Sequence, residues 1–317
     1  MKMPDSEFEH KSILVSEILG FLDLQPGSVV IDATLGLGGH AEAVLQTSAD
    51  TRVIGIDQDQ KALETATERL KSFGSRFHGV HSNFVEISSV ADELNITAVD
   101  AVIADLGVSS MQLDDAERGF SFRFDAPLDM RMDTSKGSTA AELLEELDQE
   151  EIANLIYRYG EERKSRRVAR LIVERRDAGQ PVRSTEELAR LVERAVGRSP
   201  KDKIHPATRT FQALRIAVNN ELGILDGFIK DSIDLLKLNG TLSLITFHSL
   251  EDRIVKQAFQ KLSGKCFCPP RIPRCVCGAE KRVEMLTRKP VVPTEDEMSV
   301  NPRSRSAKLR VCRKIAN

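Results

Sequence analysis

The chain has 317 residues, 41% of them hydrophobic and 29% charged, with a formal net charge of −3. That composition excludes a disordered polyelectrolyte and fits a globular protein of about two domains. No apolar run reaches the roughly 20 residues of a membrane span, the acidic start MKMPDSEFEH lacks the apolar stretch of a secretory signal, and five cysteines without such a signal point to reduced thiols in the cytoplasm.

Strand signals come first, alternating with helices. Ser28–Asp32 (SVVID) is β-branched and ends in an acid. Gly36–Gly39 forms a turn, and His40–Thr47 reads as a helix. Arg52–Asp57 predicts a second strand, also closed by an acid. Lys61–Phe73 carries Leu63, Ala66 and Leu70 on one helical face. Phe77–Phe84 predicts a third strand and Val99–Leu106 a fourth. Such alternation implies βαβ units and a parallel sheet, whose ligands bind beyond the C-terminal strand ends, where Asp32, Asp57 and Asp105 fall.

Past residue 110 the strand signal stops. Gly119–Met132 reads as an ordered loop. Capping boxes at Thr139–Glu142 and Ser184–Glu187 start helices, the second followed by Leu188, Leu191, Val192, Ala195 and Val196 at helical spacing. Between them Glu150–Tyr159 and Glu161–Asp177 are helical; Pro206 opens a helical stretch to about Lys237, broken near Gly223–Gly227. A strand at Thr241–Phe247, a helix at Leu250–Leu262 and weaker strands at Arg282–Leu286 and Lys308–Arg313 complete the chain. The expectation is an α/β domain formed by residues 1–115 and 213–317, interrupted by an all-helical insertion at 116–212.

The turn DATLGLGGHA presents free N–H groups at a helix start, and Asp57 can accept hydrogen bonds from ribose hydroxyls. Gly36-x-Gly38-x-x-Ala41 also meets the dinucleotide pattern, so a nicotinamide cofactor and S-adenosylmethionine (SAM) both suit it. Asp105, in DLGVSS, ends the fourth strand beside the cofactor cleft, a position that in many aminomethyltransferases holds the group binding the target amine. An exocyclic base amine is a poor nucleophile because its lone pair is conjugated into the ring. An acceptor for its N–H would steer that lone pair toward a methyl group held in line. The alternatives for Asp105 are a turn cap or a purely cofactor-binding role.

Charge is unevenly spread. Arg253–Asn317 carries 16 Lys+Arg against 5 Asp+Glu, and the remaining 252 residues carry 29 against 43. Arg163, Arg166, Arg167 and Arg170 fall at helical spacing on one face, suited to phosphate contacts or to simple solvation. Arg303, Arg305, Lys308, Arg310, Arg313 and Lys314 form an acid-free run, either a strand with alternate side chains exposed or a phosphate-binding tail. Phe120, Phe122 and Phe124 alternate, so an extended segment would point them one way, onto an extruded base or into a core. Ser249 reads as a helix N-cap. Cys266-x-Cys268 and Cys275-x-Cys277 offer four thiolates, yet zinc pairs usually run C-x2–4-C, and reduced surface thiols with no metal is the favoured reading.

The sequence resembles a known family, the bacterial SAM-dependent small-subunit (16S) rRNA cytosine-N4-methyltransferases of the MraW/RsmH type. The resemblance is carried by HKSIL (His10–Leu14), Asp32–His40, DLGVSSMQLDDAERGFSF (Asp105–Phe122), PLDMRMD (Pro127–Asp133), YGEER (Tyr159–Arg163), HPATRTFQALRIAVNNEL (His205–Leu222), FHSLEDRIVK (Phe247–Lys256) and NPRSRSAKLR (Asn301–Arg310). It implies a class I SAM-dependent methyltransferase (Rossmann-like) sheet with an inserted helical domain for substrate recognition. It implies methyl transfer from SAM to N4 of a cytidine in the decoding region of 16S rRNA in the small ribosomal subunit. Its cofactor contacts map onto Gly38, Gly39, His40, Asp57, Phe84, Asp105 and Gln112, with Asp105 as the expected catalytic residue. Candidate RNA contacts are Phe122, Arg163, Arg166, Arg167, Arg170, Arg209, Arg215, His248, Ser249, Arg303 and Arg305. A nicotinamide oxidoreductase and a catalytically silent RNA-binding module are the rivals, and a monomer and a homodimer both stay open.

Overall fold

The computed structural model describes residues 12–198, 204–269 and 276–317. The chain forms two compact units, Met1–Gly107 with Ile224–Asn317, and Val108–Gly223. The first unit opens with α1 (Val15–Phe21), β1 (Val29–Asp32), α2 (Gly39–Thr47), β2 (Arg52–Asp57), α3 (Gln60–Leu70), β3 (Phe77–His81), α4 (Ile87–Glu93) and β4 (Val99–Asp105). Sequence patterning missed α1 and α4. Both have seven residues, and neither has a side-chain cap at its start. β3 ends earlier than expected because Asn83 Oδ1 accepts from Val85 N at 3.0 Å, turning the chain into a 3-10 turn at Phe84–Glu86.

The second unit holds α5 (Ser110–Asp114), α6 (Ala140–Glu146), α7 (Gln149–Gly160), α8 (Ser165–Asp177), α9 (Thr185–Val196) and α10 (Ala207–Val218). The capping boxes at Thr139/Glu142 and Ser184/Glu187 are both formed. Leu144, Ile152, Ile156, Val168, Ile172, Leu188, Val192 and Leu214 fill a core of this unit's own. Val108, Leu113 and Val218 pack against that core, so the unit begins and ends outside the 116–212 expected from helix signals alone. α8 starts at Ser165 rather than Glu161: Glu161 is left-handed (φ 51°) and Lys164 N donates to Glu162 Oε1 at 2.8 Å.

The first unit resumes with α11 (Leu225–Leu235), β5 (Leu236–Thr246), α12 (Ser249–Leu262), β6 (Val283–Met285), α13 (Glu295–Val300) and β7 (Lys308–Lys314). Among the described residues the strands make a seven-stranded sheet in the order β3-β2-β1-β4-β5-β7-β6. β1 to β5 run parallel, while β7 is antiparallel to both β5 and β6. This is a Rossmann-like sheet, parallel but for its β7 strand. Val30, Val53, Ile103, Leu309 and Val311 face one core together with Ile18, Val44, Leu45 and Leu70. The alternate residues Ile31, Ile54, Val102 and Leu244 are also buried, with α11 and α12 against the sheet, as strands covered on both faces require.

β7 corrects the reading of the basic C-terminal run. It is an inner strand, so Arg310 and Lys314 are buried rather than presented to a polyanion. Arg310 pairs with Asp252 at 2.7 and 3.2 Å. Lys314 Nζ donates to the carbonyls of Asp234 and Leu236 at the end of α11.

Candidate active site

Three strands end in carboxylates at one edge of the first unit, Asp32 on β1, Asp57 on β2 and Asp105 on β4. β1 leads into a turn stitched to the neighbouring strand: Leu35 N donates to Ile56 O at 2.9 Å and Gly36 N to Asp57 Oδ2 at 2.7 Å. Gly38 caps α2 at φ 79°, where an added Cβ would lie 3.1 Å from Leu70 Cδ1, so a side chain there meets both torsional strain and a packed leucine. Asp57 Oδ1 accepts from Asp59 N at 2.8 Å, fixing that carboxylate at the mouth of β2. Burial pushes Asp57 up to about 6, against the lowering effect of its backbone donors.

Asp32 and Asp105 are the electrostatic centre. Burial pushes Asp32 up to about 7, although amides of Thr34 and Ala41 at the start of α2 favour its charge. Asp105 is also pushed up to about 7, first by burial, then by the neighbouring Asp32 and Glu251 charges, while His40 opposes the rise. Asp105 N donates to Thr34 Oγ1 at 2.6 Å, which ties β4 to the β1 turn. Asp32 Oδ2 and Asp105 Oδ1 are shielded from solvent and have no hydrogen-bond partner among the described residues. Two such acceptors cost free energy unless a ligand with donors or positive charge completes them. His40 Nε2 lies 2.9 Å from Ile13 O; since a carbonyl only accepts, Nε2 carries the proton.

Glu251, one of the FHSLEDRIVK residues for which the resemblance suggests a substrate contact without a defined role, has a definite place in the structure. It is 1% exposed, and its Oε2 accepts from Phe247 N and His248 N at 2.9 and 3.3 Å. The signal for that place is a capping box, but with histidine in the capping position. His248, not Ser249, is the N-cap of α12: its Nδ1 accepts from Glu251 N at 3.3 Å, and Ser249 is the first helical residue. Phe84 sits in the turn after β3 with its ring 4.9 Å from Phe228.

The remaining predicted residues scatter. Gln112 belongs to the second unit and closes the capping box of α5, Oε1 accepting from Ser109 N at 3.0 Å. The three phenylalanines do not point one way. Phe120 is buried in the helical core, Phe122 packs against Phe211 and His205 at 4.9 and 4.7 Å, and Phe124 is 59% exposed. Arg166, Arg167 and Arg170 are exposed on α8, whereas Arg163 precedes the helix and does not share its face. Arg209 is half exposed, 3.8 Å from Glu162. Arg215 is held by Glu221 in a bidentate pair, two bonds of 2.8 Å, which makes it a structural residue of α10. Arg303 and Arg305 are exposed in the 3-10 turn Pro302–Ser306. His10 and Cys275 lie outside the described residues, while the sulfurs of Cys266, Cys268 and Cys277 come together within 4.8 Å.

The family model described as the MraW methylase family matches residues 7–315. The chain belongs to the MraW methylase family. It is 48% identical over 310 residues to the ribosomal RNA small subunit methyltransferase H of Clostridium botulinum, covering 98% of this chain and 100% of that protein. The protein of the same name from Geobacter sulfurreducens is 49% identical, covering 97% of this chain and 99% of the other. A solved rRNA methylase from Streptococcus thermophilus shares 12% identity at a TM-score of 0.41, covering 96% of this chain and 98% of the other. The dinucleotide reading of the glycine turn gives way to the methyltransferase one, with SAM as methyl donor. The residues fit that cofactor: SAM bears a sulfonium and an ammonium, and the unpartnered oxygens of Asp32 and Asp105 are acceptors for positive charge. No described helix is long and apolar enough to cross a membrane.

Proposed function

We propose that this chain methylates N4 of a cytidine in the decoding region of 16S rRNA. The observation that carries the reading is the unpartnered, solvent-shielded Oδ1 of Asp105 at the end of β4, in a chain of the MraW methylase family. The names of its relatives support small-subunit rRNA as the substrate class.

SAM, when bound, supplies an electrophilic methyl group on a sulfonium. Asp57, oriented by Gly36 N and Asp59 N, takes the ribose hydroxyls. Gly38, Gly39 and His40 bring backbone amides at the start of α2 close to the cofactor, and Phe84 covers the adenine. Asp32 meets positive charge. Asp105 accepts the N4–H of the cytidine and directs the nitrogen lone pair at the methyl group. A carboxylate pushed up to about 7 is also matched to receiving the proton that nitrogen loses near neutral pH. The target base must leave any pairing, because N4 lies on its Watson–Crick edge. The helical unit, with its exposed α8 arginines, recognises the RNA.

The test is mass spectrometry of 16S rRNA nucleosides from cells lacking the chain. N4-methylation should be lost, restored by the wild type, and not restored by Asp105→Ala, whose turnover should fall by about 100-fold or more. An unchanged level of the modification in the deletion strain overturns the proposal.

A further inference from the structure

We propose that Cys266, Cys268 and Cys277 bind a zinc ion that pins the loop between α12 and β6. The three Sγ atoms lie within 4.8 Å of one another, and Cys277 Sγ is 3.8 Å from Cys266 Sγ. A tetrahedral zinc with Zn–S bonds of about 2.3 Å sets its sulfurs about 3.8 Å apart. A disulfide requires about 2.05 Å, far below the 3.8 Å between the Cys266 and Cys277 sulfurs.

Each sulfur also accepts a backbone N–H. Cys268 N donates to Cys266 Sγ at 3.4 Å, Val276 N to Cys268 Sγ at 3.3 Å, and Phe267 N to Cys277 Sγ at 3.4 Å. Donors aimed at sulfur orient it as outer-shell groups orient metal ligands. The tight C-x-C spacing that disfavoured zinc in the sequence is what places Cys268 N on Cys266 Sγ. Soft thiolates select zinc over hard cations, and three of them leave one tetrahedral position for water or a fourth donor.

The loop needs such a tie. Its base is closed by the Ser263–Lys281 bridge and by Glu280 N and Arg282 N donating to the carbonyls of Lys261 and Leu262. Beyond that base no described residue of 264–269 or 276–280 is buried, and Phe267 and Val276 are 45% and 76% exposed. A segment without an apolar core is the place where a structural metal supplies the missing free energy. Cys312, buried on β7 with its thiol pushed up by burial, is a separate and inert group.

The test uses the full chain, purified in reductant without chelator and measured by elemental mass spectrometry. We expect about one zinc per chain, and fewer than about 0.1 in Cys266→Ser/Cys277→Ser and in Cys268→Ser. Reconstituting the wild type with Co2+ should give the intense thiolate-to-cobalt absorption of a tetrahedral sulfur site, a readout that requires no variant. Zinc below about 0.1 per chain after incubation of the wild type with Zn2+ overturns the proposal. So does full zinc retention in the double variant, or an intact mass two hydrogens light with no metal, which would mark a disulfide.

Discussion

At the scale of single residues, the chemistry concentrates in Asp32 and Asp105. Asp32 is buried and Asp105 half-buried, both are pushed up to about 7, and each keeps a solvent-shielded oxygen without a partner among the described residues. The consequence for stability has a definite sign. The ligand-free fold holds protons that the unfolded chain, with carboxyls near 3.8, has already released. Its stability therefore falls as pH rises from about 4 to about 7. A bound cation reverses the preference, so SAM binding should release protons and tighten by up to about tenfold per pH unit and per proton between pH 6 and 7. Calorimetry in buffers of different ionisation enthalpy checks this; a binding heat independent of the buffer would show that neither acid titrates on binding. The acids were legible because each closes a β-branched run. The influence of Glu251 on Asp105 was not, because it arises between residues far apart in the chain.

Among the elements, helices with strong capping chemistry were read correctly because a capping box acts over four residues. Those at Thr139/Glu142 and Ser184/Glu187 formed as expected, and the ones at Asp148/Glu151 and His248/Glu251 formed unannounced. The α8 arginines show the limit of helical spacing: Arg163 fits the period, yet the helix starts two residues later, past a left-handed Glu161. The face left to contact phosphates is Arg166, Arg167 and Arg170. The Arg170–Glu174 pair at 3.4 Å is more than half exposed and adds little. Arg166→Glu with Arg167→Glu should weaken binding to 16S rRNA at low salt and lower the slope of log affinity against log salt by about one per lost phosphate contact. Titrations at several salt concentrations measure it, and an unaltered slope would remove α8 from the interface.

For the whole molecule, the central fact is that each unit has a core of its own, and among the described residues these two clusters share no member. Ile103 on β4 is fully buried in one and Ile156 on α7 in the other. Ile103→Ala and Ile156→Ala should each cost about 2–5 kcal/mol, and their effects should add within about 0.5 kcal/mol. Denaturant unfolding of the two single variants and the double variant tests this. A larger coupling would mean the units unfold as one.

By itself the sequence determined the local pieces: which runs become strands, where acids close them, which helices are capped, and, through strings of matching residues, the family. These rest on periodicities and hydrogen bonds spanning a few residues. Only the tertiary structure decided which charges are spent internally. β7 inserts antiparallel between β5 and β6, so Arg310 and Lys314 turn inward, and Arg215 closes on Glu221. Strand order and side-chain partnership depend on pairings between distant segments, and the free energy of burying a charge depends on the partner it finds there. The same holds for the three sulfurs beyond α12, whose spacing along the chain argued against a metal and whose arrangement in space supports one.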